Sequence, residues 1–239
     1  MRQPKVIEET PPSPGLSRER IVDAALELID RDGLDAFSVR GLAQHLSVYP
    51  TALYWYVPNR NALLALVVTG VLDDIIPPGE AAEWTEWLRA LFRRYRAAIR
   101  RHPNVAPLIG AQLVSNTSID FVMIERILHA LDGAGFRGPA LRHAYNTVVT
   151  AMVSFVTHEF APQPSERREN WADELRKLIR NVDKERFPTL VRNLPQMENR
   201  SFIMRWQNGA EVPLDDSFEV FIDVVLMGLV QYNRQQAAS

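Results

Sequence analysis

Apolar residues recur along most of this chain at intervals of three and four positions, the spacing of helices that bury one face. The first stripe begins after Ser17, a residue suited to capping a helix, and stops at Gly33, which suits the left-handed position after one. Its members are Ile21, Ala24, Ala25, Leu28 and Ile29. The pattern predicts a first helix here, preceded by a flexible arm over 1–16 that holds four prolines.

The next stretch predicts two short helices joined by a tight turn. Ser38 caps the first of them, and the second begins near Pro50, because proline is accepted in a first helical turn. Pro58 ends that helix after about two turns, since proline cannot continue it. Asn59 or Asn61 then caps a fourth, longer helix that connects these elements to the rest of the chain.

The remaining chain also shows helical periods and no alternation typical of strands, so the predicted fold class is all-α. Helices are predicted over 60–76, 84–102, 116–132, 140–160 and 166–186. We expect little else that is regular in 162–214. The last segment, 215–232, is apolar nearly all round, so we expect burial on every side, which suggests a subunit interface. A basic face on 84–102 is interpreted as solvated; its residues are Arg89, Arg93, Arg94, Arg96, Arg100 and Arg101.

Composition narrows the classes of function. With 239 residues, 46% hydrophobic and 23% charged, the chain can bury a core, which excludes a disordered protein. The absence of cysteine excludes disulfide scaffolds, thiolate metal sites and cysteine nucleophiles. Neither a secretory leader nor an apolar run near the ~20 residues of a membrane span is visible, so we expect a cytoplasmic protein without membrane contact. The net charge of −2 does not point to any partner.

No residue pattern predicts a catalytic site, a metal site or a cofactor. His158 and Glu159 resemble the start of a metalloprotease motif, but Pro162 occupies the position of the second histidine. We interpret this pair as a polar patch in a dimer interface or at a pocket rim. The alternative is a small helical enzyme with a histidine base, although no histidine has a partner at motif spacing; the candidates are His102, His129, His143 and His158.

Two short helices joined by a three-residue turn have the layout of a helix-turn-helix, whose second helix fits a DNA major groove ~12 Å wide. No acidic residue occurs over 36–72. We therefore expect Arg40, His45 and Arg60 to face DNA phosphates without a competing carboxylate. The predicted DNA-binding domain is 17–62, although an amphipathic helical hairpin with a chance acid-free run would give the same pattern.

Residues 38–66 resemble the DNA-binding signature of the TetR family of bacterial transcriptional regulators, and especially its tetracycline-repressor branch. The matching positions are Ala43, Leu46, Ser47, Val48, the run Leu53 to Val57, Asn59, Arg60, Ala62, Leu63 and Leu64. Weaker similarity continues through Trp84, Leu88, Arg89, Arg96, His102, Pro103, Phe218, Glu219, Gly228 and Leu229. Ser47 stands where the family usually has glycine, and serine adopts such a turn at modest cost.

The resemblance implies that the chain contacts a double-stranded DNA operator through its second and third helices. The implied DNA-binding residues are Ser38, Val39, Arg40, Tyr49, Pro50, Thr51, Ala52, Tyr54, Trp55, Tyr56 and Arg60, with 49–52 at the leading end of the third helix. Arg40 would reach a guanine edge or a phosphate, whereas Tyr54 and Arg60 would bind phosphates. Trp55 is interpreted mainly as a core residue, and Tyr56 stays open between core and DNA.

The resemblance also implies a ligand-binding and dimerisation domain over 63–239, and a homodimeric repressor that a small-molecule effector releases from a palindromic operator. Candidate effector-binding residues are Trp87, Leu91, Tyr95, Ile109, Gln112, Phe121, Asn146 and His158. Candidate dimer-interface residues are Leu141, Tyr145, Val149, Met152, Phe218, Ile222, Val225 and Leu229. Ile109 and Leu91 replace a histidine and an asparagine that bind magnesium–tetracycline in that branch, so we predict a different, more apolar effector. A regulator of the same fold without a small ligand is the remaining alternative.

Overall fold

The computed structural model describes residues 15–79, 83–109, 120–162 and 170–237, and every regular element in these ranges is helical. The helices of the N-terminal part are α1 (Arg18–Asp32), α2 (Val39–His45), α3 (Pro50–Tyr54) and α4 (Arg60–Val71). Those that follow are α5 (Trp84–Arg101), α6 (Phe121–Gly133), α7 (Gly138–Glu159), α8 (Trp171–Arg180), α9 (Pro188–Met197) and α10 (Asp215–Ala237). A 3-10 turn, Pro103–Val105, follows α5. The predicted all-α class is confirmed.

The N-terminal helices begin where their capping residues predict. The Ser17 hydroxyl accepts a hydrogen bond from the Arg20 amide at 3.2 Å, and the Ser38 hydroxyl accepts one from the Gly41 amide at 3.1 Å. For α4 the cap is Asn59, whose Oδ1 lies 2.8 Å from the Ala62 amide, so the choice between Asn59 and Asn61 is resolved. Each cap satisfies an amide that the first helical turn leaves without a partner.

The structure differs from the sequence prediction in several elements, including the helix predicted over 166–186, which ends at Arg180. Helix α4 stops at Val71 rather than 76, because a turn occupies 72–74; Pro77 in addition disfavours helical backbone at Ile76. Residues 1–14 of the expected arm lie outside the described residues, but Leu16 is buried in the core and so belongs to the folded part. Finally, 162–214 holds a second helix, α9, which the sequence prediction missed because the helix contains two prolines.

One hydrophobic core runs through the described chain. In the N-terminal part, α1 packs against α2 and α4, and α2 packs against α3. Beyond it, α7 packs against α5, α6 and α10, and α5 also contacts α6 and α10. The largest side chains of this core that are fully buried are Tyr95, Phe92, Phe136 and Phe160. Helix α5 therefore lies at the centre of the C-terminal part, with some of its residues in the core and others at the surface.

The basic face of α5 is not simply solvated, which corrects the sequence interpretation. Arg89 lies 2.6 Å from Asp223, and Arg93 lies 2.6 Å from Glu219. Both acids belong to α10, so the arginines join the two helices. Arg100 adds a third contact to α10 through Asp215 at 3.2 Å. On α5, Arg94 pairs instead with Asp74, which follows α4.

A buried ion pair forms where α5, α7 and the start of α10 meet. The Arg96 guanidinium donates two hydrogen bonds to the Glu159 carboxylate at 2.6 and 2.7 Å, and Glu159 is fully buried. Glu159 also accepts a hydrogen bond from the Leu214 amide at 2.9 Å, while Arg96 stacks 4.5 Å from the centre of the Phe218 ring. The interpretation of Glu159 as an interface patch or pocket rim is therefore wrong, since it anchors the core.

Helix α10 is only partly buried within its own chain. Phe218, Ile222, Leu226 and Leu229 face the core, as a stripe at helical spacing requires. On another side of the helix an apolar stripe stays in solvent, with Val220 61%, Val224 63% and Met227 71% exposed. The expectation of burial on every side is thus not met by a single chain.

Candidate nucleic-acid interface

The tight turn between α2 and α3 fixes the direction of the short helix. Ser47 adopts a left-handed conformation with φ 57°, the position at which glycine is usual. The Ser47 amide donates to the Gln44 carbonyl at 3.1 Å, and the Val48 amide donates to the Ala43 carbonyl at 2.9 Å. Leu53 of α3 is buried in the hydrophobic core. These contacts hold α3 against α2 by one face only.

The leading end of α3 is open to solvent. Tyr49 is 83% exposed, Thr51 is exposed, and Tyr54 is 50% exposed. Pro50 and Ala52 are half-buried, and Ala52 packs against the core, so these two offer less surface than the sequence predicts. The two ends of α3 therefore present aromatic surface that is not packed in the core.

The two candidate arginines flank this tip and are exposed. Arg40 carries no partner within the described residues, and Arg60 stacks 5.8 Å from the centre of the Phe37 ring. Both guanidinium groups therefore keep donors available for phosphate. His45 is a correction: its Nε2 lies 3.5 Å from the Glu27 carboxylate of α1, so it does have a nearby acid. The acid-free run in the sequence could not show this, because Glu27 precedes it.

The remaining candidates of this region differ in position. Ser38 uses its hydroxyl oxygen to cap α2, and Val39 packs against the core. Trp55 is 51% exposed, so its interpretation as mainly core does not hold. Tyr56 is half-buried against the core, and its carbonyl accepts a hydrogen bond from Arg18 at 3.3 Å. Trp55 is thus part of the exposed surface around α3, whereas Tyr56 lies behind that surface and packs against the core.

A polar contact that sequence reasoning missed joins the N-terminal helices to the rest of the chain. His102, just after α5, places its Nδ1 2.7 Å from an Asp30 carboxylate oxygen near the end of α1. Asn104 donates to the carbonyls of Ile29 and Asp30 at 3.0 and 3.1 Å. Residues so far apart in sequence give no periodic signal. In the sequence, only the resemblance around His102 and Pro103 drew attention to the segment that makes this contact.

The candidate effector-binding residues fall into two groups. Trp87, Leu91, Tyr95 and Ile109 are all buried in the core, the first three at successive turns of α5. Burial raises the pKa of Tyr95, so its phenol stays neutral. The Trp87 indole Nε1 is buried with no hydrogen-bond partner in the structure as described, while Arg126 stacks 5.7 Å from the ring centre. The structure does not place Phe121, Asn146 or His158 in this buried group, since all three are exposed, and Gln112 lies outside the described residues.

The candidate interface residues of α7 and α10 also divide. Met152, Phe218, Ile222 and Leu229 are buried within the chain and so are not available to a partner. Leu141, Tyr145, Val149 and Val225 are half-buried. Between the two helices runs an open groove of about 680 Å³; it is lined by Ser154, Phe155, His158, Phe202, Asp216, Ser217, Val220, Phe221 and Val224. The exposed apolar surface of α10 therefore borders a groove that the sequence analysis did not foresee.

Two further features bear on the class of protein. Among the described residues, no three side chains of His, Asp or Glu gather closely enough to hold a metal ion. In the same ranges, no helix combines the length with the apolar character needed to cross a lipid bilayer.

Comparison with known proteins identifies the family. The model described as bacterial regulatory proteins of the tetR family matches residues 21–67, and the model described as the tetracyclin repressor-like C-terminal domain matches residues 76–232. An HTH-type transcriptional regulator of Saccharopolyspora erythraea is 29% identical over 186 residues, which cover 76% of this chain and 76% of the relative. These are transcriptional regulators rather than enzymes.

Solved structures share the fold. ActR from Streptomyces coelicolor in complex with actinorhodin superposes with a TM-score of 0.65 at 27% identity, covering 90% of this chain and 97% of ActR. BioQ with its natural double-stranded DNA operator superposes with a TM-score of 0.56 at 27% identity, covering 69% of this chain and 96% of BioQ. Since the C-terminal model alone spans more than half of the sequence, this chain belongs to the TetR family of DNA-binding transcriptional regulators.

Proposed function

We propose that this protein is a homodimeric repressor that binds a palindromic operator through α3 and is released by a small, largely apolar effector. The observation that carries the proposal is the exposed leading end of α3, where Tyr49 is 83% in solvent. A helix this short, held by one buried face, presents its first residues to the edges of bases in a major groove. The structure of BioQ with its DNA operator supports this mode of binding.

The exposed side chains around α3 divide by the part of DNA that they would contact. Tyr49 and Thr51, at the first turn, would contact base edges, and Arg40 would contact a guanine or a nearby phosphate. Arg60 and Tyr54 would bind phosphates, which positions the protein without selecting a sequence. Aromatic Tyr49 at the leading end favours an operator different from that of a relative with a long polar side chain there.

A dimer is proposed because one short helix contacts too few base pairs for specific binding. Two copies about one helical turn of DNA apart, ~34–36 Å, would read both halves of a palindrome. The exposed apolar stripe of α10 at Val220, Val224 and Met227 supplies surface for pairing. Half-buried Leu141, Tyr145 and Val149 on α7 would extend it.

The proposed effector site lies beside the buried face of α5 at Trp87, Leu91 and Tyr95. These side chains are aromatic or aliphatic, which favours an apolar ligand with few polar groups. The structure of ActR with actinorhodin supports an aromatic ligand for a protein of this fold. An effector that prefers a conformation with mis-spaced α3 helices would lower operator affinity by its differential binding, ~1–3 kcal/mol. The turn Pro103–Val105, which packs on α1, connects the two parts.

The proposal is tested by electrophoretic mobility shift on the DNA upstream of the protein's own gene, with a random fragment of equal length as control. We expect retardation of the upstream fragment at protein concentrations that leave the random one free. Footprinting should then show two half-sites about one helical turn apart. Actinorhodin is the first effector probe, followed by other aromatic and aliphatic compounds. Equal retardation of both fragments, or a footprint on a single half-site, would contradict the proposal.

A further inference from the structure

The loop between α9 and α10 is closed by its own hydrogen bonds. Asn199 adopts a left-handed conformation with φ 54°, and its amide donates to the Met204 carbonyl at 2.8 Å. The Asn199 side-chain oxygen accepts from the amides of Trp206 and Gln207, both at 3.1 Å, and its Nδ2 donates to the Gln207 side chain at 2.9 Å. The segment 199–207 is therefore preformed rather than dependent on a partner for its shape.

This loop carries an apolar tip. Phe202 packs edge-on against Phe155 of α7, with ring centres 5.3 Å apart, and lies 5.4 Å from the His158 ring. Those contacts hold the loop on α7. The next residue, Ile203, is 91% exposed. The preformed loop therefore presents the apolar side chain of Ile203 to solvent beside Phe202.

The groove between α7 and α10 lies on the same surface as this tip, because Phe202 lines it. Its apolar walls are formed by Phe155, Phe221 and the exposed residues Val220 and Val224. The rim is polar and includes Asp216, which is exposed and has no ion pair in the described ranges. The chain thus carries an apolar projection and an apolar groove side by side.

We propose that Ile203 of each copy enters the groove of a second copy, so that the loop 199–207 specifies how two subunits pair. This inference rests on the proposed homodimer. A twofold interface uses the same patch on both subunits, so that patch must complement itself. A projection beside a groove meets this requirement, since each copy supplies both parts.

Charge at the edge of the patch favours a second copy as the occupant. Arg200, on the loop, is exposed and forms no ion pair with the part of the chain that the structure describes. Asp216 on the groove rim carries the opposite charge, and it too is exposed and forms no ion pair within the described residues. In a pair of copies related by a twofold axis, the loop of one copy and the groove rim of the other therefore offer unlike charges that can pair on both sides of the axis.

The first test uses the absence of cysteine from the chain. An Ile203→Cys protein and a Val224→Cys protein, one with a longer tag, are mixed, allowed to exchange subunits and treated with a short thiol-specific cross-linker. We expect a covalent heterodimer of intermediate mass. The matched control pairs Ile203→Cys with Val122→Cys, since Val122 is 63% exposed on α6 and does not line the groove. A heterodimer yield no higher than in this control would overturn the inference.

The second test measures the dimer by sedimentation equilibrium. Ile203→Asp should raise the dimer dissociation constant at least tenfold, because it places a carboxylate in an apolar groove, whereas Ile203→Leu should leave it nearly unchanged. Ile203 is exposed, so neither change removes core packing. A wild-type chain that stays monomeric would contradict the proposed function itself. A wild-type dimer that Ile203→Asp leaves equally tight would overturn only the role of the loop.

Discussion

His102 Nδ1 lies 2.7 Å from an Asp30 carboxylate oxygen, and this contact joins the end of α5 to the last turns of α1. Asn104 strengthens the junction, because its side-chain amide donates to the carbonyls of Ile29 and Asp30 near the end of α1. Helix α1 packs on α2 and α4, so the junction orients the whole N-terminal part. A change in the segment after α5 would therefore reach α3 through α1.

We predict that this contact supports operator binding. Asp30→Ala and His102→Ala should each weaken operator affinity by up to about 1 kcal/mol, the upper end of what a partly exposed polar contact of this kind contributes. The loss of operator affinity in the double variant should be little larger than the loss in the single variant that binds operator less tightly. Both substitutions remove the same interaction, so their effects should not add. Fluorescence anisotropy with labelled operator measures all four proteins. Asp35→Ala, an exposed acid just beyond α1, is the control for the change in charge, and strictly additive losses would contradict the prediction.

The buried pair of Arg96 and Glu159 should dominate the stability of the C-terminal part. Glu159→Ala leaves the Arg96 charge buried, with only Asp215 as a partner at 2.8 Å, and should lower the free energy of unfolding by ~3–5 kcal/mol. Urea unfolding followed by circular dichroism measures the change.

The exposed pair of Arg93 and Glu219 provides a matched control for that measurement. It also joins α5 to another element at 2.6 Å, but both side chains are well exposed to solvent. Glu219→Ala should therefore cost only ~0–1 kcal/mol. Equal losses in the two variants would show that burial does not set the contribution of these ion pairs.

The DNA contacts should separate into specific and non-specific ones. Arg40→Ala and Thr51→Ala should each cost ~1–3 kcal/mol on the operator and much less on random DNA. Arg60→Ala should weaken binding to both and reduce the salt dependence by about one charge. Titrations at several salt concentrations distinguish these outcomes, and an Arg60→Ala protein with an unchanged salt slope would exclude a phosphate contact.

Ser47 should tolerate glycine and reject a branched residue. Its φ of 57° lies in the left-handed region, where glycine carries no steric cost and a β-branched side chain is strained. Ser47→Gly should therefore keep operator affinity and change the free energy of unfolding by less than about 1 kcal/mol. Ser47→Val should lower the free energy of unfolding by ~1–2 kcal/mol. Thermal unfolding of the two variants makes the comparison, and a Val variant as stable as wild type would mean that the turn relaxes.

Local signals in the sequence predicted local structure well. Ser17, Ser38 and Asn59 cap helices through amides three residues ahead, so their roles depend on a few neighbouring positions. The pairing of α5 arginines was not predictable in this way. Arg93 meets an acid 126 positions later in the chain and Arg89 meets one 134 positions later, which no periodicity reports.

The candidate site was predictable only to the level of the element. The exposed tip at Tyr49 follows from a short helix that begins with proline, but the position of Trp55 depends on how α3 packs. On α10, an all-round apolar pattern could not separate the core-facing Ile222 from the exposed Val224. Both are apolar, and only the packing of α10 against α7 and α5 distinguishes them.

The last prediction concerns the effector. The resemblance to the tetracycline-repressor branch implies that Leu91 and Ile109 replace an asparagine and a histidine for magnesium–tetracycline, and both are buried apolar residues here. Neither side chain can bind a magnesium ion or accept a hydrogen bond, so the complex would leave its polar groups unpaired, at ~1–3 kcal/mol for each. Titration with magnesium–tetracycline, followed by drug fluorescence, should therefore show no micromolar binding, and the drug should not release operator. Micromolar binding would contradict the prediction, while release by an apolar aromatic compound without magnesium would support it.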